Sequence, residues 1–509
     1  MTWSAEGVWN LLPCAVKLKT TTGLPRTWSS AWEQAGAYSF VLESGKGGRS
    51  TFLGRNPVSV IRGKGRLAQV IEPYTGKCWE LSGAPLELIK GWLAPYQSPQ
   101  HPALPRFCGG AVGFLGYDIA RSLERLPTLA KDDLGLDDYV WMRFEELWVW
   151  DEDESAVYAI VHRQLAAAED AGQNGLSDEA ELYESALVRA KAMIEEWQLF
   201  QDAASFLKLN DDEQPPGLDE LFAEAETSMS QSKFEGAVRQ VQEYITAGDV
   251  FQVNLSLRHA FPLAAAPEVV YESLRIINPS PYMGLMRFPE FQLVSASPEL
   301  LVKLDAGRLS TRPIAGTRRR GMTVDEDAAM EAELLGSEKE RAEHIMLVDL
   351  LRNDLGRVAA YGSVKVSELL TIERYSHVMH LVSEVEGALA EPLTAFEAIA
   401  AVFPGGTITG APKVRTMEII EELEPVTRGP YTGAMGWIDY HGNMELNIII
   451  RTLVTQNEVG YIQAGAGIVI DSDPYLEFRE SQNKAKAIAL AIRHSERYAS
   501  KAEKRRWEP

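Results

Sequence analysis

Residues 232–261 read SKFEGAVRQVQEYITAGDVFQVNLSLRHAF, a helical pattern that runs into a strand-like one. The first part, up to Gly248, carries apolar residues at the three- and four-residue spacing of one helix face. The second part, FQVNLSLRHAF, is typical of a strand, and NIIIRTLV at 447–454 repeats that character further along. Helices and strands in mixed order predict an α/β fold of the α+β type.

Toward the N-terminus the pattern changes to short strands with glycine-rich connections. LAQVIEPY (67–74) and AVYAIVHR (156–163) are strand-like, and an amphipathic helix is predicted over 178–197. The polar stretch 209–220, with its Pro-Pro pair, is the best candidate linker. A chain of 509 residues is long for one ordinary core. The predicted segments are an N-terminal region 1–165, an acidic helix and linker 166–225, a catalytic region 226–500 and a basic tail 501–509.

The overall charge excludes some classes of partner. With 50 Lys and Arg against 72 Asp and Glu, the formal net charge is -22, so the general field of the protein repels nucleic acid and anionic membranes. The 3 cysteines, Cys14, Cys78 and Cys108, form no CxxC pair, which is typical of a reducing compartment. No signal peptide and no membrane-spanning run is evident, so we expect a cytoplasmic protein.

Acidic residues recur at helical spacing in two segments. SEKERAEHIMLVDLLRNDLGR (337–357) contains Glu340 and Glu343, and DPYLEFRESQNKAKAIALAI (473–492) contains Glu477, Glu480 and Lys484. Residues three or four apart share one helix face, so each helix offers two carboxylates in one direction. A Glu pair on a helix is usually a solvated face. If the two faces meet, they suit Mg²⁺, which takes one or two protein carboxylates together with waters and substrate oxygens.

The segments around these helices resemble one known family. They occur in this order: SASPELL (295–301), TRPIAGTRRRG (311–321), EHIMLVDLLRNDLGRV (343–358), YSHVMHLVS (375–383), FPGGTITGAPKVRTMEII (403–420), IIIRT (448–452), QAGAGIVIDS (463–472) and ESQNKAKA (480–487). Together they resemble the chorismate-utilising family, which includes anthranilate, aminodeoxychorismate, isochorismate and salicylate synthases. VLESGKGGRSTFLG (41–54) and GGAVGFLGYD (109–118) resemble the N-terminal region of the amine-forming members.

The resemblance implies a fold and a set of acidic residues. The expected fold is that of anthranilate synthase component I: two packed antiparallel β-sheets with helices outside and the active site between them. Mg²⁺ is assigned to Glu340, Glu343, Glu477 and Glu480, and we expect one Glu from each helix to ligate directly while the other acts through water. Glu299 would be the general acid that protonates the leaving ring hydroxyl, which requires a raised pKa.

The resemblance also assigns the residues that bind substrate. Arg451 and Lys484 would bind the carboxylates of chorismate and Tyr431 would add a hydroxyl. The expected backbone and small-residue contacts come from Ala464, Gly465 and Gly467 in the AGAG segment and from Ala315, Gly316 and Thr317 in the PIAGT segment. Thr407 would hydrogen-bond near the ring carboxylate, and His380 would act as a base or a positioning group.

Gln252 bears on the nucleophile. In the water-using members a Lys at this position serves as the base, but Gln cannot accept a proton at neutral pH. Ammonia is therefore the expected nucleophile. None of the three cysteines resembles a glutaminase nucleophile, so a separate class I glutamine amidotransferase subunit is the expected ammonia source.

Two amine-forming reactions remain open. Ala315 stands where one subgroup of aminodeoxychorismate synthases has a covalent Lys, as it does in anthranilate synthases. Asn254, Thr311–Arg312, Gly405–Gly406 and Asn447 resemble a second group of aminodeoxychorismate synthases that also carry Ala. 4-Amino-4-deoxychorismate, for 4-aminobenzoate and folate synthesis, is the expected product. The alternatives are anthranilate with pyruvate, and a homologue that binds chorismate without turning it over.

A second small-molecule site is implied away from these segments. It is formed by residues that resemble the tryptophan pocket of the family: Leu42, Glu43, Ser44, Asn278, Pro279, Ser280, Pro281, Tyr282 and Met283. The pocket is regulatory in anthranilate synthases. In this chain it is expected either to bind tryptophan or to be a buried loop contact.

Overall fold

Two large antiparallel sheets form the framework of the computed structural model, which describes residues 9–45, 50–165, 175–202, 207, 216–374 and 378–506. Within these residues the strands are, in chain order, β1 (Leu11–Lys19), β2 (Ser39–Glu43), β3 (Ser50–Arg55), β4 (Ser59–Lys64), β5 (Leu67–Glu72), β6 (Lys77–Ser82), β7 (Gly110–Leu115), β8 (Tyr139–Phe144), β9 (Glu146–Asp151), β10 (Ala156–Gln164), β11 (Glu226–Thr227), β12 (Gln252–Pro262), β13 (Tyr282–Arg287), β14 (Gln292–Ser297), β15 (Leu300–Asp305), β16 (Arg308–Thr311), β17 (Ile314–Arg319), β18 (Lys365–Arg374), β19 (Val378–Ala388), β20 (Gly410–Ala411), β21 (Ala434–Asp439), β22 (Met444–Ile448), β23 (Thr452–Gln456) and β24 (Val459–Ile468).

The helices lie mostly between the strands in sequence. They are α1 (Ser29–Glu33), α2 (Pro85–Leu93), α3 (Ala120–Leu123), α4 (Gly175–Asp202), α5 (Leu218–Leu221), α6 (Gln231–Ala247), α7 (Pro267–Ile277), α8 (Val324–Gly336), α9 (Glu338–Gly356), α10 (Ala395–Val402), α11 (Lys413–Leu423) and α12 (Pro474–Arg506). In the described part of the chain no helix combines the length and the apolar character needed to cross a bilayer.

Each sheet mixes strands from both ends of the chain. The first sheet has the order β1-β10-β9-β3-β2-β13-β14-β23-β24-β12-β11, with β20 paired to β12. The second has the order β17-β19-β16-β15-β22-β21-β7-β8-β4-β5-β6, with β18 paired to β19. The predicted segments 1–165 and 226–500 therefore share both sheets. This confirms the predicted α/β architecture of two antiparallel sheets with helices.

The three largest apolar clusters of the described residues follow the layers of the fold. Between the sheets, side chains such as Phe40 and Leu293 of the first sheet pack with Phe114 and Trp437 of the second. On the outer side of the first sheet, α4, α7 and α12 bury their apolar faces, and α2 and α10 do the same on the second. The order is helices, sheet, sheet, helices, because each sheet has two apolar faces to remove from water.

The helix and the strand predicted within residues 232–261 are both present. Ser230 caps α6 by accepting a hydrogen bond from Lys233 N, and Gly248 ends it at φ 84°, a left-handed conformation that suits glycine. The chain then enters β12, which pairs with β24 from Val253 to Pro262. This places the QVNLS segment beside the AGAG segment.

The linker and the tail lie partly outside the described residues. Of the predicted linker 209–220, residues 209–215 are not described, and α5 begins at Leu218. Helix α12 continues into the predicted basic tail as far as Arg506, while residues 507–509 lie outside the description. His377, in the YSHVMH segment, also falls outside it.

Candidate active site

The carboxyl group of Glu299 lies just beyond the end of β14. The residue is 7% exposed, and its backbone carbonyl accepts a hydrogen bond from Ile448 N at 3.0 Å. Burial raises the pKa of Glu299 to about 7, although the Thr407 hydroxyl and the charges of Lys484 and Arg451 act in the opposite direction. A carboxyl group with this pKa is protonated in a large fraction of molecules near neutrality and can donate a proton.

Thr407 lies next to this carboxyl group, in the 3₁₀ turn Gly406–Ile408. Its Oγ1 is buried and has no hydrogen-bond partner of ordinary geometry among the described residues. The hydroxyl nevertheless lies close enough to Glu299 to lower the pKa of that carboxyl. The cis Phe403–Pro404 bond precedes the turn.

Two cations flank the Glu299 carboxyl. Arg451 follows β22 with φ 50°, and burial lowers its pKa while the nearby Tyr431, Glu480 and Glu299 act in the opposite direction. The Lys484 Nζ atom contacts Glu480 Oε1 at 2.9 Å and donates to the Gly465 carbonyl at 2.9 Å. A half-buried Arg and a Lys beside a carboxyl group that is partly protonated near neutrality form a site for an anionic ligand.

The AGAG segment on β24 passes close to its neighbours. A Cβ atom at Gly467 would lie 2.6 Å from Gln252 Nε2, and one at Gly465 would lie 2.9 Å from Asn254 Oδ1. Side chains at these positions would therefore collide with β12. Ala464 precedes them and is 5% exposed. The backbone of this segment thus lies beside the polar side chains of β12.

Each of the four predicted metal carboxylates has a polar neighbour. Glu343 Oε1 accepts a hydrogen bond from Gln252 Nε2 at 2.7 Å, and Glu340 Oε1 accepts one from Arg318 at 3.3 Å. Glu480 pairs with Lys484. Burial raises the pKa of Glu477, and the charge of Glu480 raises it further. The two helix starts are close, because the charge of Lys339 at the start of α9 reaches Glu477 on α12.

The donor chemistry of these residues fits Mg²⁺, although the described residues form no preformed cage. Among the residues that the structure describes, no three His, Cys, Asp or Glu side chains converge on one point. Mg²⁺ does not need such a cage, since it usually takes one or two carboxylates and keeps several waters. The negative charge of Glu480 helps to raise the pKa of Glu477, and a divalent cation between the two carboxylates would relieve this repulsion.

His380 stands opposite the PIAGT segment. It pairs with Thr317 in the β17–β19 ladder, and its Nδ1 lies 3.0 Å from Thr317 Oγ1 and 3.2 Å from the Gly316 carbonyl. A carbonyl can only accept, so the Nδ1–H donates and the lone pair of the neutral ring is on Nε2. Burial lowers the pKa of His380. Gly316, at φ 66°, forms a bulge beside Glu340, and Ala315 precedes it.

The structure therefore brings the predicted catalytic, substrate-binding and metal residues into one region. Glu299, Thr407, Arg451, Lys484 and Tyr431 are joined by contacts or by their charges. Gln252 and Gly467 connect this group to Glu343, and Gly316 connects His380 to Glu340. The role of each residue stays a prediction.

A buried ion pair beneath this region was not predicted. The side chains of Glu424 and Arg428 are 2% and 1% exposed. Burial would lower the pKa of Arg428, but the Glu424 carboxylate outweighs it, so the pKa is raised. In the segment ELEPVTRGPY, Glu424 and Arg428 are four residues apart, which on its own is typical of a solvated pair. The one signal for this pair in the sequence was that Tyr431, a predicted substrate-binding residue, follows Arg428 by three residues.

The Arg428 guanidinium uses all its donors. It donates twice to Glu424, to the carbonyls of Asn254 and Ile408 at 2.7 and 3.0 Å, and to Thr432 Oγ1 at 3.2 Å. It also lies over the rings of Tyr117 and Tyr431. Arg428 thereby ties together β12, the Thr407 turn and the Tyr431 loop.

The predicted tryptophan-pocket residues lie elsewhere, at the junction of β2 and β13. Gly45 N donates to the Ser280 carbonyl at 2.9 Å, and Glu43 pairs with Met283 in the ladder. A cleft of about 910 Å³ is lined by part of the predicted set: Leu42, Glu43, Ser44, Pro281, Tyr282 and Met283. Three residues are not among its lining: Asn278, Pro279 and Ser280. Whether the cleft binds tryptophan stays a prediction.

Comparison with known proteins gives one family over almost the whole chain. The sequence profile described as chorismate binding enzyme matches residues 39–490. Aminodeoxychorismate synthase component 1 of Bacillus subtilis (strain 168) is 43% identical over 463 residues, covering 91% of this chain and 93% of the relative. Anthranilate synthase component 1 of Acetivibrio thermocellus is 41% identical over 493 residues, covering 95% and 96%. The solved structure of anthranilate synthase component I from Streptococcus pneumoniae TIGR4 is 34% identical with a TM-score of 0.71, covering 87% and 92%.

Proposed function

The chain belongs to the family of chorismate binding enzymes, and from this premise we propose that it aminates chorismate with ammonia to give 4-amino-4-deoxychorismate. The observation that carries the choice of nucleophile is the environment of Gln252. Its Nε2 donates to Glu343 at 2.7 Å, and the residue is 6% exposed. An amide cannot accept a proton at neutral pH, so this position does not activate water. Ammonia needs no such base.

The charged residues of the site suit a substrate with two carboxylates. We expect Arg451 and Lys484 to bind these carboxylates, helped by the Tyr431 hydroxyl and the backbone of Ala464 to Gly467. The PIAGT residues Ala315 to Thr317 lie on the His380 side. Glu299 is buried and Arg451 is half-buried, which limits competition from water and strengthens each charged contact.

The proposed reaction needs two proton transfers, one to the leaving hydroxyl and one from the new ammonium group. Ammonia forms a C–N bond with the ring, and the C–O bond to the ring hydroxyl breaks. Glu299 gives its proton to the departing oxygen, which leaves as water. The new ammonium centre then loses a proton, so that chorismate and ammonia give the amine and water. His380, with its lowered pKa and its lone pair on Nε2, is the candidate acceptor.

Mg²⁺ would be held by one carboxylate from each helix, from Glu340 or Glu343 on α9 and from Glu477 or Glu480 on α12. When bound, it would neutralise a substrate carboxylate and stabilise charge as it develops. The contacts with Arg318, Gln252 and Lys484 would then orient the remaining carboxylates.

The choice between the two amine products depends on short segments of sequence. Ala315 stands in the place of the covalent Lys, so amination here proceeds without an adduct to this residue. Asn254, Thr311–Arg312, Gly405–Gly406 and Asn447 support the aminodeoxychorismate synthase assignment, as does 43% identity to an aminodeoxychorismate synthase component 1. Anthranilate formation is the second candidate, supported by 41% identity to an anthranilate synthase component 1.

A separate glutaminase subunit is the proposed ammonia source. The relatives are named component 1, and this chain places none of its cysteines at a site of that kind. Cys14 and Cys108 are buried, and Cys78 is exposed on β6. We therefore expect a class I glutamine amidotransferase subunit to bind this chain.

The test is to incubate the purified chain with chorismate, ammonium and Mg²⁺ and to separate the products by chromatography. The proposal predicts a product that becomes 4-aminobenzoate only after a lyase is added, and no turnover when ammonium is omitted. Anthranilate released with pyruvate would replace the first reaction with the second. Protection of the chain by chorismate against heat, without consumption, would identify a non-catalytic homologue.

A further inference from the structure

The side-chain oxygen of Asn254 is a buried acceptor with no donor. Its Oδ1 atom is inaccessible to solvent and receives no hydrogen bond from the described residues. Removing a polar atom from water without a partner costs folding stability, so each such atom calls for an explanation, and beside an active site a bound reactant is one. The backbone N–H and carbonyl of Asn254 are both hydrogen-bonded, so this acceptor is not a sign of a loosely placed residue.

The orientation of the amide is set by its neighbours. Asn254 N donates to the Thr409 carbonyl at 2.8 Å, and the Asn254 carbonyl accepts from Arg428 Nη2 at 2.7 Å. The Nδ2 group faces the Thr407 carbonyl at 3.4 Å. A flipped amide would turn oxygen toward oxygen there, so Oδ1 points the other way.

That direction leads to the AGAG segment. Asn254 pairs with Gly467 across the β12–β24 ladder, and Oδ1 would lie 2.9 Å from a Cβ atom at Gly465. The Gly465 carbonyl is held by Lys484 Nζ at 2.9 Å. Gln252 is two residues earlier on the same face of β12. The acceptor therefore lies among the residues proposed to hold chorismate.

The chemistry of the reactants limits which donor can satisfy it. Ionised carboxylates and an enol ether carry no N–H or O–H group, so chorismate offers only its ring hydroxyl. In the proposed reaction that hydroxyl faces Glu299. The other reactant, ammonia, has three N–H donors and one lone pair. A neutral amide oxygen can hold ammonia by an N–H and leave the lone pair free, whereas a carboxylate would favour the non-nucleophilic ammonium ion.

We propose that Asn254 Oδ1 accepts a hydrogen bond from ammonia and holds it for attack on the ring, with the Arg428–Glu424 pair keeping the strand in position. This inference rests on the proposed amination of chorismate. It makes Asn254 a determinant of nucleophile choice, next to Gln252. Loss of the acceptor weakens use of ammonia while leaving the binding of chorismate almost unchanged.

The test compares Asn254→Leu with the wild-type chain. Leu has a similar shape and removes the acceptor. We expect KM for ammonia to rise by about tenfold, the effect of one hydrogen bond, while KM for chorismate changes by less than about twofold. We expect the melting temperature to change little, since the Oδ1 acceptor has no partner to lose and the Nδ2 contact with the Thr407 carbonyl is long, at 3.4 Å. An unchanged KM for ammonia, or an equal rise in both KM values, would overturn the inference.

Asn443→Leu is the matched control. Asn443 is buried and its amide is satisfied: Oδ1 accepts from Ala306 N and Nδ2 donates to Asp439, both at 2.8 Å. We expect this variant to melt at a lower temperature and to keep the KM for ammonia. If both Leu variants melt at equally lowered temperatures with equal kinetic changes, the role of Asn254 is structural.

Asn254→Asp gives a second, independent readout. A carboxylate in this place stabilises ammonium over ammonia, so the pH at which ammonia-dependent turnover rises moves upward. An unshifted profile contradicts the inference. A wild-type chain that consumes no chorismate with ammonium removes the proposed function and this inference together. An active wild-type chain with an unaffected Asn254→Leu variant removes only the inference.

Discussion

At the scale of the residue, the surroundings of Glu299 raise the pKa of its carboxyl group well above the ordinary value. The group is shielded by β14, by the Thr407 turn and by the side chains of Arg451 and Lys484. Burial outweighs the two nearby cations, so the pKa is raised to about 7. The same carboxyl group on a surface loop would be ionised at neutral pH and could not serve as an acid.

Replacing Glu299 with Gln removes the acidic proton and keeps the size of the side chain. We expect kcat to fall by about 100- to 10,000-fold. The wild-type acid works in its protonated form, so kcat/KM calculated per free NH3 should decline as pH rises through about 7, and this decline should disappear in the variant. A pH–rate series measures it.

Glu272→Gln is the control for this series. Glu272 is buried and burial also raises its pKa, but it lies against Arg275 and Trp28 N in another part of the fold. Its variant should keep the decline above pH 7. A Glu299→Gln variant with the wild-type pH profile would show that another group is the acid.

At the scale of the element, α12 carries residues of the candidate active site at its start and packs into the core further along. Its first turns carry Glu477, Glu480 and Lys484 toward the site, and the following Ala485, Ile488 and Ala489 are buried in the core against the first sheet. Asp473 caps the helix by accepting from Leu476 N at 2.9 Å. The buried stripe fixes the rotation of the helix, and this rotation determines where the acidic residues point.

Glu480→Gln tests the metal-binding end of this helix. One charge is lost while the shape is kept, so we expect Mg²⁺-dependent turnover to need about 10- to 100-fold more Mg²⁺. Titration of turnover with Mg²⁺ measures the effect. Glu496→Gln, on the same helix but beside the Ala264 backbone, should leave the titration curve in place. Equal curves for the Glu480 variant and the wild type would exclude that residue from the metal site.

At the scale of the whole molecule, the two sheets are built jointly by the N-terminal and C-terminal strands. In the first sheet β2 pairs with β13, and in the second β7 pairs with β21. The cleft near Leu42 and the region around Glu299 are thus supported by one continuous framework. The three thiols lie outside the proposed site, on β1, on β6 and just before β7.

The thiols therefore provide a test of the missing glutaminase. Burial raises the pKa of Cys14, and burial raises the pKa of Cys108 to about 12, so only the exposed Cys78 should react quickly with a thiol reagent. We expect one fast-reacting thiol per native chain, unchanged turnover with ammonium after labelling, and no turnover with glutamine. Cys78→Ser should show no fast reaction. Glutamine use by the purified chain, abolished by labelling, would contradict the need for a partner subunit.

The sequence alone determined the local parts of this protein. The spacing of apolar residues predicted α6 and β12, the acidic residues of α9 and α12 were placed on their helices, and the ordered segments indicated the family. These features depend on residues that are close together in sequence. The side-chain periodicity of helices and strands therefore predicts them.

Only the tertiary structure decided which of these parts meet and what surrounds them. The raised pKa of Glu299, the contact of Gln252 with Glu343, the fully used donors of Arg428 and the unpaired Asn254 oxygen all depend on residues far away in sequence. Periodicity tells which face of an element is apolar but not which element covers it. The element that packs over a side chain determines its desolvation and its hydrogen bonds. The chemistry of the site therefore came from the packing of the two sheets and their helices.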